Sequence, residues 1–241
     1  MANTDPLYKE DKDFVWRYVS RPIAVFISKH FLFHIPVSAN QLTIFGTLLT
    51  IFASYIISLG GYTYPIIGCL ILQACLVIDC ADGTVARYRK TTGIFGMYAE
   101  EISHNIAPYF LMLGLGINSF KAFNDYRILI LLSFTVIFMH IIAASRFSKD
   151  VLLIYLGISP EKKIAPKIVR NSANSMISRF VFPLIELVSS PAKQQTLLLI
   201  VALFGYLHYA ILFFFLFYLV VAVFKVVIEY RSGFKIFGLE R

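Results

Sequence analysis

Asp79, Asp82, Glu100, Glu101 and His104 are ionisable residues set in stretches otherwise apolar enough to cross a membrane. A charged group in that setting costs roughly 2.5–3.5 kcal/mol on insertion scales, so each one asks for a chemical reason. At 100° per residue, Asp79, Asp82, Gly83 and Ala86 share one helix face, with Arg87 at its edge. That face offers two carboxylates, two residues with almost no side chain, and a cation. Carboxylates suit a hard cation such as Mg²⁺, which commonly also holds substrate phosphates. Gly83 and Ala86 let a ligand approach the backbone, and Arg87 can pair with a phosphate. Gly93, Gly96, Glu100 and His104 follow at steps of three and four, which makes a second stripe. Its glycines permit close helix packing in lipid and would bring Glu100 and His104 opposite the aspartates. Glu101 points off this stripe, toward a basic neighbour or the rim of the pocket.

Helices must position these groups. The chain reads as an all-α integral membrane protein with about six transmembrane helices, preceded by an amphipathic helix. Residues 1–35 form an N-terminal segment, and residues 36–241 form one membrane domain. Within the segment, Trp16, Val19, Ile23, Phe26, Ile27 and Phe31 recur at mostly three- and four-residue steps. Arg17, Ser20, Arg21, Ser28 and Lys29 fill the other face. A helix of this kind lies flat in the interface. The first span is expected from Gln41 to Gly60, with Asn40 as its N-cap. Gly60 and Gly61 then turn the chain. The second span runs from Tyr64 to Arg89, the third from Ile94 to Ile117 and the fourth from Tyr126 to Arg146. A further interfacial helix is expected from Met176 to Val188. The apolar stretch Thr196–Ile228 is too long for one span and is divided near Gly205–His208.

Composition agrees with this reading. The chain has 241 residues, 58% of them hydrophobic and 15% charged, with mean hydropathy +0.73. Soluble domains usually carry about 25% charged residues. The formal charge of +8 is read as membrane topology, not as nucleic-acid binding. With both termini cytoplasmic, the inner segments 1–40, 87–93, 146–193 and 225–241 hold 5, 3, 8 and 4 Lys or Arg, 20 of the 22. Arg146 and Lys149 end the fourth span on the inner side, as an ordinary basic flank or, less favoured, as a holder of an anionic acceptor or a phosphate, and Lys162, Lys163, Lys167 and Arg170 are read as headgroup contacts. No secretory signal peptide is visible, so the first span is expected to direct insertion. Cys69, Cys75 and Cys80 have neither disulfide nor zinc spacing and are read as small apolar packers.

The string Asp79-x-x-Asp82-Gly83-x-x-Ala86-Arg87, eight residues, Gly96, three residues, Glu100, three residues, His104 resembles the signature of the CDP-alcohol phosphotransferases, also called CDP-alcohol phosphatidyltransferases. The family pattern has aspartates at the last two positions, so six of eight motif residues match and all the spacing does. Ile35–Thr43, IPVSANQLT, also looks like the entry to that family's first helix. The resemblance implies a homodimeric six-helix enzyme of the membrane, a CDP-linked donor such as CDP-diacylglycerol or another CDP-alcohol, and Mg²⁺ or Mn²⁺. An acceptor hydroxyl attacks the donor's β-phosphorus and CMP leaves, as in phospholipid, polar-lipid or glycan-precursor synthesis. It also implies Asp79, Asp82 and Glu100 as metal ligands, with Asp79, Gly83, Ala86, Arg87 and Gly96 as donor-binding positions. His104 stands where the family has an aspartate proposed as general base and second-metal ligand. An imidazole can serve as base near neutral pH but is a poor Mg²⁺ ligand. The site therefore reads as one Mg²⁺ with His104 as base. The alternative is a catalytically degenerate, nucleotide-binding membrane protein of the same fold. A transporter ranks below both, because its polar groups would sit near the midplane of several helices. The membrane expected is a prokaryotic inner membrane.

Overall fold

Ser38 and Gln41 start the first long helix by bonding to each other's backbone. The Ser38 hydroxyl accepts from the Gln41 N–H at 3.2 Å, and the Gln41 side-chain oxygen accepts from the Ser38 N–H at 2.9 Å. This capping box replaces the expected Asn40 cap, because the Ser-x-x-Gln pair satisfies two donors where Asn40 would satisfy one.

The computed structural model describes residues 14–155 and 190–236. A π-helical turn, Trp16–Ser20, runs into α1, Arg21–His30, and a 3-10 turn follows at Leu32–His34. The long helices are α2 (Ala39–Ser58), α3 (Thr63–Tyr88), α4 (Ile94–Phe123) and α5 (Arg127–Tyr155). Helix α6 (Pro191–Leu203), a 3-10 turn at Leu207–Tyr209 and α7 (Ala210–Ile236) complete the described chain. The described residues are helical and contain no strand. The expected helix near 176–188, the basic residues at 162–170 and the side chains of Arg146 and Lys149 lie outside what is described.

Among the described residues, five helices are long and apolar enough to cross a membrane. The expected division of the last apolar stretch falls where the structure breaks it, at Gly205 (φ +78°) and the turn after it. The halves are unequal, however. Leu207–Phe224 has the length of a span. Pro191–Leu203 has 13 residues, about 20 Å at 1.5 Å per residue, short of the roughly 30 Å hydrocarbon core.

The chain forms two compact units. The first holds described residues 14–129 and 190–211, and the second holds 130–155 and 212–236. In the first unit α2 packs on both α3 and α4, while α1 and α6 pack on α3. Gly60 and Gly61, at φ +81° and +76°, make the α2–α3 turn as expected. Close approach is built from small residues. A Cβ at Gly68 would stand 2.8 Å from the Ala53 carbonyl oxygen, and one at Gly114 would press into the Ser54 carbonyl. Hydroxyls on these faces bond back along their own helix. Thr50 donates to the Gly46 carbonyl at 2.9 Å, Ser54 to Thr50 at 2.7 Å and Ser119 to Leu115 at 2.8 Å. Polar groups thus pass through lipid without needing water. Ile44, Phe45, Leu48, Phe52 and Tyr55 face outward on α2, as lipid contact requires.

Helix α1 differs from the expectation in one respect. Val19, Ile23, Phe26 and Phe31 are exposed, ready for lipid, but Ser20, Arg21 and Ser28 are buried instead of facing water. The small residues on that side let α1 pack on α3, with Ala24, Cys80 and Ala81 joined by Trp16, Leu32 and Val77. Arg17 and Lys29 remain exposed. In the second unit, Phe138 of α5 and Phe215 of α7 lie with ring centroids 6.0 Å apart.

Candidate active site

The α3 face carrying the aspartates meets α2 on one side and α4 on the other. Asp79 Oδ1 lies 3.2 Å from His104 Nε2, so the two stripes read from the sequence do converge. The Asp79 and His104 side chains keep 26% and 45% of their exposure, so solutes reach the pair. Asp82 is buried at 7% and accepts from the Thr43 hydroxyl of α2 at 2.6 Å. The Thr43 oxygen is also 3.2 Å from the Ala39 carbonyl. Its single proton favours the shorter bond to a carboxylate, where charge strengthens it. One turn along, the Thr47 hydroxyl reaches the Thr43 carbonyl at 2.9 Å and is hydrogen-bonded to the Ser103 hydroxyl of α4. A proline then follows in α4: Pro108 has no N–H, so the His104 carbonyl lacks its usual helical donor.

A cavity of ≈ 110 Å³ opens on this cluster, walled by α2, α3, α4 and α6 within the first unit. Asp79, Asp82 and His104 line it, as do Thr47, Thr50, Cys75 and Leu111, with Gln194 and Gln195 from α6. From Thr43 to Thr50 the wall extends about 10 Å at 1.5 Å per residue.

Several residues of the sequence pattern stand outside this cavity. Gly83 faces the Arg87 guanidinium, which a Cβ there would meet at 3.3 Å. Arg87 Nη2 lies 3.4 Å from the Thr84 hydroxyl. Gly96 packs near Asn40, and Glu100 is exposed one turn from His104. Glu101 pairs with Asn105, whose amide donates to its carboxylate at 3.2 Å and its carbonyl at 2.9 Å. The partner is therefore neutral, where a basic neighbour or the pocket rim was expected. All three cysteines are buried free thiols.

Among the described residues, no three His, Cys, Asp or Glu side chains are gathered to hold a metal by themselves. The donor types still fit Mg²⁺. Asp79 and Asp82 each commit one oxygen to His104 or Thr43, which leaves the other oxygen of each for a cation. Mg²⁺ commonly takes one or two carboxylates and completes its shell with water and substrate phosphate.

Sequence reasoning missed Thr43, Thr47, Ser103, Gln194 and Gln195. The Thr43, Thr47, Thr50 spacing on one face of α2 is a signal that could have found the first two. Nothing local marks the glutamines.

The sequence model of the CDP-alcohol phosphatidyltransferase family matches residues 36–228, which takes in α2 to α4, α6 and the acidic string. No curated protein matches the chain.

Proposed function

We propose, since the chain belongs to the CDP-alcohol phosphatidyltransferase family and such proteins transfer a phosphoalcohol from a CDP-alcohol to an acceptor, that His104 and Asp79 are the working centre of an active transferase. The observation that carries this reading is the 3.2 Å His104–Asp79 pair at the mouth of the cavity.

The acceptor hydroxyl enters beside His104, whose imidazole takes its proton as the oxygen closes on the donor's β-phosphorus. The bond from that phosphorus to the CMP oxygen breaks, and CMP leaves with the electron pair. Asp79 fixes the imidazole's orientation and stabilises it once protonated, as a carboxylate does for a catalytic histidine. Thr43 holds the buried Asp82 carboxylate in one rotamer. Mg²⁺ held by Asp79 and Asp82, with Glu100 in reserve nearby, would neutralise the diphosphate charge. Arg87, with Gly83, Ala86 and Gly96, would receive the cytidine phosphate part.

The test is CMP release by purified protein in detergent with Mg²⁺ or Mn²⁺, over a panel of CDP-alcohols and acceptors. Release should require metal, acceptor and Asp82, and Asp82→Asn should abolish it. His104→Ala should lower kcat by about 10²–10⁴-fold, the usual worth of a general base. Undiminished turnover in His104→Ala would remove histidine from the mechanism. CDP-alcohol binding without CMP release from any pair would identify a nucleotide-binding protein that has lost the reaction.

A further inference from the structure

The cavity's lining combines two chemistries. Asp79, Asp82 and His104, with the Cys75 thiol, are the ionisable groups among the described residues that line it. His104 is already paired with Asp79. No Lys or Arg lines the cavity among the described residues, and Arg87 and Lys193 stand outside its wall. The rest of the described lining is neutral and rich in hydrogen-bonding groups: Thr47, Thr50, Ser103, Gln194 and Gln195.

Those groups are set to receive hydroxyls. Thr47 and Thr50 give their protons to main-chain oxygens or to Ser103, which leaves them capacity as acceptors. The Gln195 side-chain oxygen is buried and has no hydrogen-bond partner. A buried acceptor left in that state is costly, and an O–H donor from a ligand relieves it. A carboxylate, or the phosphate dianion that prevails at neutral pH, has no proton to offer there. It would also sit beside two aspartates, with no Lys or Arg among the described lining residues to balance it. A volume of ≈ 110 Å³ admits a small molecule, well beyond a single water.

We infer that this neutral part of the lining selects an uncharged, hydroxyl-bearing acceptor of polyol type, held by Thr47, Ser103 and Gln195, and turns away acceptors that carry a phosphate. The inference rests on the transferase reading above, and its test separates the two. Matched acceptors are compared at millimolar concentration with one productive CDP-alcohol: glycerol against glycerol 3-phosphate, inositol against inositol phosphate, and ethanolamine as a cationic alcohol. The expected result is a kcat/KM at least ten-fold higher for a neutral polyol than for its phosphorylated or cationic counterparts. Gln195→Leu should raise the KM for the neutral acceptor more than it raises the donor KM, and Gln195→Lys should narrow the preference over the phosphorylated member. Equal or better use of a phosphorylated or cationic acceptor would overturn the inference while leaving the transferase intact. Thermal stabilisation of the detergent-solubilised protein by the same compounds supplies a readout without turnover. Stabilisation by a neutral polyol alone, lost in Gln195→Leu, would uphold the selectivity even where no CMP is released. Stabilisation by the phosphorylated member, or by none of them in either assay, would overturn it.

Discussion

Thr43 gives the site its least replaceable neutral contact, because it is the hydroxyl that meets a buried carboxylate. Thr43→Val keeps the shape and removes the 2.6 Å bond. Hydrogen bonds to charged groups contribute about 1.5–3 kcal/mol. Thr43→Val should therefore lower stability by about that amount in denaturant titration of the detergent-solubilised protein, and Thr43→Ser should restore most of it. At this scale the sequence was informative about Asp79, Asp82 and His104, because charge inside an apolar helix is expensive and its spacing stands out. It was silent on Thr43, Thr47 and Ser103. A threonine in a lipid-buried helix ordinarily bonds to its own backbone, as Thr50 does, and only the rotation of α2 against α3 and α4 decides which hydroxyls cross to a neighbour. Gln194 and Gln195 reach the cavity from more than eighty residues beyond His104. No local pattern records such a return.

Among the elements, α2 depends most on what its neighbours omit. Gly114 lies against the Ser54 carbonyl so closely that Gly114→Ala must push α4 off α2. Overpacking of this kind costs about 1–3 kcal/mol, measurable as a drop in thermal or denaturant stability, with reduced turnover because α4 carries His104. Gly93→Ala should be silent, since Gly93 is extended (φ −167°) with nothing near its Cβ position. Between α4 and α5, Asp125 accepts from the Arg127 main-chain N–H at 2.9 Å and pairs with its guanidinium at 2.8 Å. The backbone bond first, then the side-chain bond and charge, hold its carboxyl below the ordinary value. A depressed folded pKa means the contribution is present above the unfolded value of about 3.9 and is lost as pH falls through the folded value. The protection of amides at the start of α5, measured against the intrinsic exchange rate at each pH, should therefore change little between pH 5 and 8 and fall below about pH 4, and Asp125→Asn should weaken that acid dependence. Helix positions were legible from the sequence because apolar length is a strong signal. The cap of α2 and the inward face of α1 were not, since both depend on which small polar residue finds a partner.

For the whole molecule, the basic residues argue an orientation: 20 of 22 Lys and Arg fall in segments placed on one side, with Lys121 and Arg127 on the other. Thr92→Cys and Lys121→Cys, labelled in intact cells with a membrane-impermeant thiol reagent, should react oppositely. Lys121→Cys should label from outside, and Thr92→Cys only after permeabilisation. The buried native thiols leave a low background. Labelling of Thr92→Cys in intact cells would invert the arrangement. The tie between α1 and α3 bears on the same membrane. Arg89 donates to the Leu32 carbonyl at 3.1 Å and to the Ile35 carbonyl, and Phe33 stacks on Tyr88 at 3.7 Å, so the end of α3 is riveted to the segment after α1. Since α1 turns its apolar side outward, it acts as a float riding at the boundary between headgroups and acyl chains. Asp82 lies fewer than two turns from that rivet. Its draught below the surface is therefore set by the protein, and the carboxylates keep the same depth in a thin bilayer or a thick one.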